Sequence, residues 1–355
     1  PVANATPIES PAPAPEAATT AVAQQSPSED LPEWEPLSPE IVEDEAIRGD
    51  FMLRWAVILL GLLLGCRQIA ETQTLVRIRT GEYLTSHGIL PPRTDIFSYT
   101  AGDRTWVNLS WLFDLSVGLL HRLGGPLALS VGVGLAGAAL IYGLVNLNRS
   151  KLPTWWHAVC AGVLLLALFP QFVPLPKLVT LLGVAWCLRE LIQWTTTKQP
   201  RSLWCVVVTL AVWSNLDARA YFGWLLLAGF GVGQFVSAQM QRTPALSAEE
   251  RQSWLKIMGA GLGALVLNPF GWNAWFSPWV RVATELPWLR ANGPRITDLG
   301  TGGGWQSLFD RVAWTAPSPV MIATAVLVLM GLVTTYLNRR RVDLGLLFAV
   351  ALVCL

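Results

Sequence analysis

Charged residues are scarce in this sequence. Asp, Glu, Lys and Arg account for 14% of the 355 residues, whereas soluble domains average about 25%. Apolar residues make up 52% of the chain, and they are grouped into long segments. This composition excludes an ordinary soluble domain and predicts a polytopic, all-α membrane protein in contact with membrane lipids.

Cysteine and histidine are too few and too scattered to form a recognisable metal or disulfide motif. The five cysteines lie inside or at the ends of apolar segments, and none shows CxxC spacing. The three histidines, His87, His121 and His157, are far apart along the chain. We therefore expect neither disulfides nor a zinc site.

A strong net charge is also absent, because the chain carries a formal charge of +1 at neutral pH. The distribution is uneven, however. Residues 1–50 contain eleven acidic residues and one basic residue, which leaves 24 basic and 13 acidic residues for the remainder. A basic excess in a membrane domain is a topology signal, so we infer no nucleic-acid partner.

The N-terminal part is rich in Pro, Ala, Ser and Glu. Such a segment cannot bury enough apolar surface to offset its ordering entropy, so we interpret residues 1–50 as a disordered acidic tail. The alternative for the part around Trp34 is a segment that binds a partner protein. Residues 51–355 are predicted to form the membrane domain, and we expect the chain to continue beyond Leu355 because that residue falls within an apolar segment.

Apolar segments in the membrane domain predict about nine or ten spans. The segment at 109–123 is shorter than the roughly 20 residues that a full span needs. The predicted apolar segments are 51–70, 109–123, 126–146, 154–169, 178–194, 203–213, 221–237, 254–267, 320–337 and 342–355.

Lys and Arg positions predict the topology. The basic connections share the cytoplasmic side if the N-terminus is cytoplasmic and 109–123 does not cross fully. If 109–123 does cross, the later basic connections change side and violate the rule. The first reading places these basic residues in the cytoplasm: Arg149, Lys151, Lys198, Arg201, Arg242, Arg251, Lys256 and Arg339–Arg341. It places these segments on the external face: 71–107, 170–177, 214–220 and the Trp-rich region 268–318.

The first external loop, 71–108, contains the strongest candidates for chemistry. Glu71, Arg77 and Arg79 follow the first span, and an arginine fork is suited to binding phosphate. Their alternative role is to anchor an interfacial helix at the lipid headgroups. Asp95 follows two prolines that restrict the backbone, and its alternative role is that of an ordinary turn residue.

A second polar group, Asn215, Asp217 and Arg219, lies between two spans on the same predicted face. Ionisable residues at span ends that share a cavity are functional candidates, and the alternative is a short external connection. Residues 132–137 fit the G-x-G-x-x-G pattern but lie inside a span without a preceding strand. We interpret these glycines, and those at 259–263, as positions of close helix packing.

The order of several short motifs resembles that of uncharacterised bacterial membrane proteins in the GT-C glycosyltransferase superfamily. The resemblance covers roughly residues 51–290. The matching stretches are RTGEYLTSHGILPPRTDIFSYT (79–100), WVNLSWLFD (106–114), the glycine pair at 124–125, WSNLDARAYFGW (213–224) and NPFGW (268–272).

This resemblance implies a GT-C-like bundle in the bacterial inner membrane that uses a polyprenyl-phosphate sugar. It assigns Glu71 and Asp95 as catalytic acids, serving as base or as ligand to a divalent metal ion. It implies a substrate-binding set of Arg77, Arg79, Asn108, Trp111, Asn215, Asp217 and Arg219.

The chain departs from the group's pattern at positions that matter for catalysis. Glu71 replaces the usual Asp, Arg77 replaces a common His, and Leu109-Ser110 replaces a frequent His-Glu pair. Two function hypotheses follow. The first is an integral-membrane glycosyltransferase, and the second is an inactive GT-C-like scaffold subunit that binds membrane-protein partners. A transporter is weaker, because broken spans do not recur at matching positions in two halves.

Overall fold

A computed structural model of the chain describes residues 39–69, 71–94, 96–97, 106–146, 154–241, 247–272, 319–338 and 342–354. Within these ranges the regular structure consists of helices, which confirms the prediction of an all-α fold. The helices are α1 (Pro39–Gly65), α2 (Thr72–His87), α3 (Trp111–Val145), α4 (Thr154–Leu168), α5 (Lys177–Thr197), α6 (Pro200–Leu216), α7 (Tyr221–Gln239), α8 (Ala248–Val266), α9 (Pro319–Leu337) and α10 (Leu344–Cys354). Short 3₁₀ helices at Phe169–Gln171 and Ala218–Ala220 precede α5 and α7.

Three described helical segments are long and apolar enough to cross a membrane. They are Trp111–Val145, Ala218–Gln239 and Pro319–Leu337. Their outward-facing surfaces are apolar, and the window in Pro319–Leu337 is only 6% buried within the protein. An apolar helix that its own chain leaves uncovered is suited to a lipid environment.

Helix α1 begins at Pro39, before the expected domain boundary at residue 51. Proline is favoured at the first helical position, and acidic residues near a helix N-terminus complement the partial positive charge there. An ion pair between Asp50 and Arg54 (2.9 Å) spans one turn of this helix. The helical segment therefore includes residues 39–50, which composition alone had assigned to the disordered tail.

Helix α3 consists of two halves separated by a glycine pair. Gly124 (φ −155°, ψ 23°) and Gly125 (φ 60°, ψ −149°) are not helical, and Pro126 starts the second half. A Cβ built on Gly132 would lie 3.4 Å from Leu120 Cδ1, although twelve residues of straight helix span about 18 Å. The chain therefore folds back at the glycine pair, as the separate segments 109–123 and 126–146 predicted.

Close crossings of α1 and the second half of α3 depend on glycine. A Cβ on Gly65 would lie 2.6 Å from Gly134 Cα, and one on Gly137 would lie 2.7 Å from Gly61 O. The packing interpretation of residues 132–137 is thus confirmed at these crossings. It is wrong for Gly259 and Gly263 of α8, because a Cβ at either position would meet nothing within 4 Å.

The largest buried cluster lies among α5, α6, α7 and α8. Trp213 is fully enclosed in it, beneath two glycines that leave room for its ring, Gly183 and Gly223. A second cluster joins α1, α4, α5 and the second half of α3. The connections before α2, α5 and α7 lie outside both clusters, at one end of the bundle. They carry the polar side chains of the candidate site.

Candidate functional site

Glu71 begins the site, at the N-terminus of α2. It is the N-cap residue of that helix, but its side chain makes no capping hydrogen bond. The carboxylate is therefore available for other contacts while it lies beside the partial positive charge of the helix end. Within the described ranges it forms no ion pair.

Three basic side chains from three different connections share the surroundings of Glu71. Lys177 is half-buried at the start of α5, and burial lowers the pKa of its ammonium group. Glu71 raises that pKa, whereas Arg219 and Arg67 lower it further. Arg67, Lys177 and Arg219 are called the cationic cluster below. Glu71, Arg219 and Arg67 are therefore near enough to Lys177 for their charges to act on its pKa.

The cationic cluster is placed by its neighbours. The guanidinium of Arg67 lies over the Phe169 ring, 5.7 Å from its centroid, and the Arg67 carbonyl accepts a hydrogen bond from the Ser130 hydroxyl (2.9 Å). Neither Arg67 nor Lys177 forms an ion pair with a carboxylate among the described residues. Their charge is therefore not neutralised by a close partner in that part of the chain.

A cavity of about 380 Å³ adjoins Glu71. This volume falls within the range of small-molecule sites, which is about 300–1,000 Å³. Its polar wall comes from the connection after α1, and its apolar wall comes from α3 and the connection before α5. The lining residues include Arg67, Gln68, Glu71, Ser130, Val133 and Phe172.

Asp217 is almost completely buried and supports Arg219. Its carboxylate accepts hydrogen bonds from the Thr180 hydroxyl and from the backbone N–H of Arg219 (3.3 Å). The Arg219 guanidinium lies 4.0 Å from the same carboxylate. Asp217 thus helps to position Arg219, whereas the sequence predicted it only as a substrate-binding residue.

A separate polar group surrounds Asp114, which is 1% exposed. Nη1 of Arg77 lies 3.1 and 3.2 Å from its two carboxylate oxygens, and the Asn108 amide donates to it at 2.7 Å. The Asn108 oxygen in turn accepts from the backbone N–H of Ser110 (3.0 Å). We call Arg77, Asn108 and Asp114 the buried carboxylate cluster.

The buried carboxylate cluster is set by a close crossing of α2 and α3. A Cβ on Gly118 would lie 2.6 Å from the Gly81 carbonyl carbon, so neither helix can carry a side chain at this contact. Arg77 precedes Gly81 by about one turn, and Asp114 precedes Gly118 by about one turn. The crossing therefore brings the two charges together. Two of the predicted substrate-binding residues, Arg77 and Asn108, contact this carboxylate.

Arg79 lies elsewhere. Its side chain is 77% exposed and pairs with Glu82 (2.8 Å), which also lies 3.4 Å from His121. In the described residues Arg79 has no contact with Glu71 or with the cationic cluster.

Trp111 and Asn215 connect the first loop to the connection after α6. The Trp111 indole N–H donates to the Asn215 side-chain oxygen (3.0 Å), and the Asn215 amide donates to the Leu267 carbonyl (2.8 Å). The Asn268 amide reaches the Ser214 carbonyl at 3.3 Å. The structure therefore brings together the start of α3, the end of α6 and the first residues of the Trp-rich region.

Two predicted parts of the site lie outside the described residues: Asp95 and residues 273–318. In the part of the chain that the structure covers, no three His, Cys, Asp or Glu side chains are grouped to hold a metal ion. The neighbours of Glu71 are cations, which do not suit a divalent metal ion. We derive no step through a metal.

Sequence reasoning missed Asp114 and Lys177 as individual residues. Each had a signal: Asp114 is a lone acid in the apolar segment that follows Trp111, and Lys177 is a lone basic residue beside a predicted external connection. Arg67 is a basic residue at the end of the predicted apolar segment 51–70, next to the first external loop. No family model, curated protein or solved structure matches the chain.

Proposed function

We propose that the chain forms a polytopic bundle in a bacterial inner membrane, with its N-terminus in the cytoplasm. The three long apolar helical segments support this placement. The basic connections after α3, α5 and α7 support the orientation. In this arrangement Glu71, the cationic cluster and the cavity lie at the external face.

The site at that face would act as a glycosyltransferase that uses a lipid-phosphate-linked sugar, as the GT-C resemblance implies. The observation that carries the proposal is that Glu71 and Arg67 line one cavity of about 380 Å³, while their charges and that of Arg219 act on the pKa of Lys177. A carboxylate that has no close ion-pair partner can serve as the general base of a reaction, and nearby cations can stabilise the anion that the reaction releases.

The roles follow from the chemistry of the transfer. Glu71 accepts the proton of an acceptor hydroxyl while that oxygen bonds to the anomeric carbon of the sugar. The bond from that carbon to the phosphate oxygen breaks, and the lipid phosphate leaves with its electron pair. The cationic cluster stabilises the negative charge on the leaving phosphate. This assigns the phosphate to Arg67, Lys177 and Arg219. Arg77 lies 3.1 Å from buried Asp114, whereas Arg219 lies 4.0 Å from Asp217, and Arg79 is exposed.

The test is turnover of lipid-linked sugar in membranes that contain single variants. Glu71→Gln should reduce turnover by about 100-fold or more, since it removes the base and keeps the shape. Lys177→Met and Arg67→Gln should also reduce turnover. The matched control is Glu249→Gln, which removes a carboxylate from an exposed position on α8.

The alternative function is an inactive scaffold subunit of a membrane complex. It is favoured by the number of predicted site residues that serve internal contacts, namely Arg77, Asn108, Trp111, Asn215 and Asp217. If Glu71→Gln and Lys177→Met keep full turnover while the protein is made and assembles with partners, the enzyme proposal is wrong and the scaffold function stands.

A further inference from the structure

A long apolar groove lies on the side of the bundle formed by α5, α6 and the second half of α3. Its volume is about 1270 Å³, beyond the roughly 300–1,000 Å³ of a typical small-molecule site. It is lined mainly by apolar side chains, among them Leu135, Leu182, Val208 and Val212. The groove is distinct from the cavity beside Glu71, with which it shares no lining residue.

The groove has the length of a lipid chain. Its lining extends along α6 from Arg201 to Leu216, a distance of about 22 Å at 1.5 Å per residue. One leaflet of a bilayer has a hydrocarbon depth of about 15 Å, half of the full core. An acyl chain of ordinary length therefore fits along the groove.

Two arginines give the lining of the groove a positive charge. Arg189 and Arg201 are the charged residues among its lining side chains. Arg201 lies beside the α5–α6 connection, the end that the basic-residue rule places in the cytoplasm, and Arg189 lies about two turns before that end of α5. Arg189 lies 4.7 Å from the centroid of the Trp186 ring and 3.2 Å from a Glu190 carboxylate oxygen. Arg201 is exposed and forms no ion pair within the described ranges.

A tryptophan lies about one turn from each arginine, on the side away from the α5–α6 connection. Trp186 and Trp204 both line the groove, and they are 46% and 47% exposed. Tryptophan is enriched at the level of lipid headgroups, where its ring is apolar and its N–H can reach water. Apolar walls, a tryptophan pair and two arginines in this order match the order of chain, interface and phosphate in a phospholipid.

We propose that this groove binds an anionic phospholipid of the cytoplasmic leaflet, with its phosphate between Arg189 and Arg201 and an acyl chain along α6. The site rests on the membrane placement proposed above and not on glycosyl transfer. Its failure therefore leaves the enzyme proposal untouched, because Arg189 and Arg201 belong neither to the cationic cluster nor to the lining of the cavity beside Glu71.

The experiment uses the full chain in nanodiscs made from equal parts of phosphatidylcholine and phosphatidylglycerol. Spin-labelled versions of each lipid report how much is held motionally restricted by the protein. The wild type should retain phosphatidylglycerol over phosphatidylcholine by about fivefold for each arginine that contacts the phosphate. The double variant Arg189→Gln/Arg201→Gln should lose that preference. Because Arg189 also pairs with the buried Glu190, the single variant Arg201→Gln, at an exposed position, should reduce the preference with the fold kept.

A second variant tests the groove itself. Gly143 lines the groove, and a Cβ there would meet no described residue within 4 Å, so Gly143→Leu can fill the space without a clash in the described part of the chain. It should lower the restricted population of both lipids. The matched controls are Gly259→Leu, also in open space on α8, and Arg251→Gln, an exposed arginine of the same helix outside the groove. Both controls should leave lipid retention unchanged.

Three outcomes would overturn the proposal. The first is equal retention of the two lipids by the wild type. The second is an unchanged preference in the double arginine variant. The third is unchanged retention in Gly143→Leu together with a change in the mass of the assembly, which would show that a protein segment or a second copy occupies the groove.

Discussion

The buried carboxylate cluster and the cationic cluster lie on adjoining elements, but they differ in how far their charges are paired. Asp114 is 1% exposed, and its oxygens accept hydrogen bonds from Arg77 and Asn108. Lys177 is half-buried, and the charges of Glu71, Arg219 and Arg67 act on its pKa. The first group satisfies its charge internally, whereas the second leaves an excess of positive charge beside a cavity.

This difference separates structure from binding. A buried ion pair with complete hydrogen bonding holds two helices together, and removing one partner leaves an uncompensated charge. Like charges held close together cost stability, and an anionic ligand would relieve that cost. The two clusters should therefore respond in opposite directions to the loss of a side chain.

The largest effect is expected for Asp114→Ala. It leaves the Arg77 guanidinium buried without its carboxylate and should lower the free energy of unfolding by about 3–5 kcal/mol. Denaturant unfolding in mild detergent measures this loss. The double variant Arg77→Met/Asp114→Leu is the control, because replacing both charges by apolar groups should restore most of the stability. A double variant as unstable as Asp114→Ala would contradict the assignment.

Gly118→Ala should have the next largest effect. Its new Cβ would lie 2.6 Å from the Gly81 carbonyl carbon, so α2 and α3 must move apart. Overpacking of this kind costs about 1–3 kcal/mol. Thermal unfolding compares it with Gly263→Ala, where a Cβ meets open space and helix propensity favours alanine by up to about 1 kcal/mol. Equal stability of the two variants would show that the crossing is not tight.

Trp111→Phe tests the contact between the first loop and the end of α6. It removes the indole N–H that donates to Asn215 and should cost about 1 kcal/mol. Hydrogen exchange at the start of α3 measures the local loosening. Trp155→Phe, at a partly exposed position on α4, controls for the loss of indole surface. If the start of α3 exchanges no faster in Trp111→Phe, this bond does not hold the two segments together.

The smallest effect is expected for Lys177→Met, and it has the opposite sign. The folded-state pKa of Lys177 is lowered, so the unfolded chain binds more protons between that value and the ordinary pKa of about 10.5. Stability of the wild type should therefore rise with pH through this interval. Lys177→Met should remove the rise and be slightly more stable at neutral pH. Unfolding at a series of pH values checks both, and a fall in stability with pH would contradict the sign.

Much of the helical architecture could be predicted from local sequence. Apolar segments predicted the helices, and the glycine pair at 124–125 separates the two halves of α3 because glycine alone accepts a φ of 60° at low cost. The substrate-binding set implied by the resemblance also contained both Trp111 and Asn215, which the structure brings into contact.

The details of the site could not be predicted in the same way. Whether Arg77 faces a ligand or Asp114 depends on the crossing of α2 and α3, and two glycines far apart in sequence set that crossing. The lowered pKa of Lys177 depends first on its burial and then on the charges of Arg219 and Arg67 from two other connections. Such long-range contacts leave no periodic signal in the sequence. Residue chemistry alone therefore could not decide between a contact with a ligand and a contact within the protein.

The bond between Trp111 and Asn215 joins residues 104 positions apart, whereas Arg77 and Asp114 are 37 apart. At a synthesis rate of about 5–20 residues per second, Asp114 leaves the ribosome about 2–7 s after Arg77, but Asn215 follows Trp111 by about 5–20 s. The buried carboxylate cluster can thus assemble while α6 is still being made. During that interval the indole N–H of Trp111 has no Asn215 to bind.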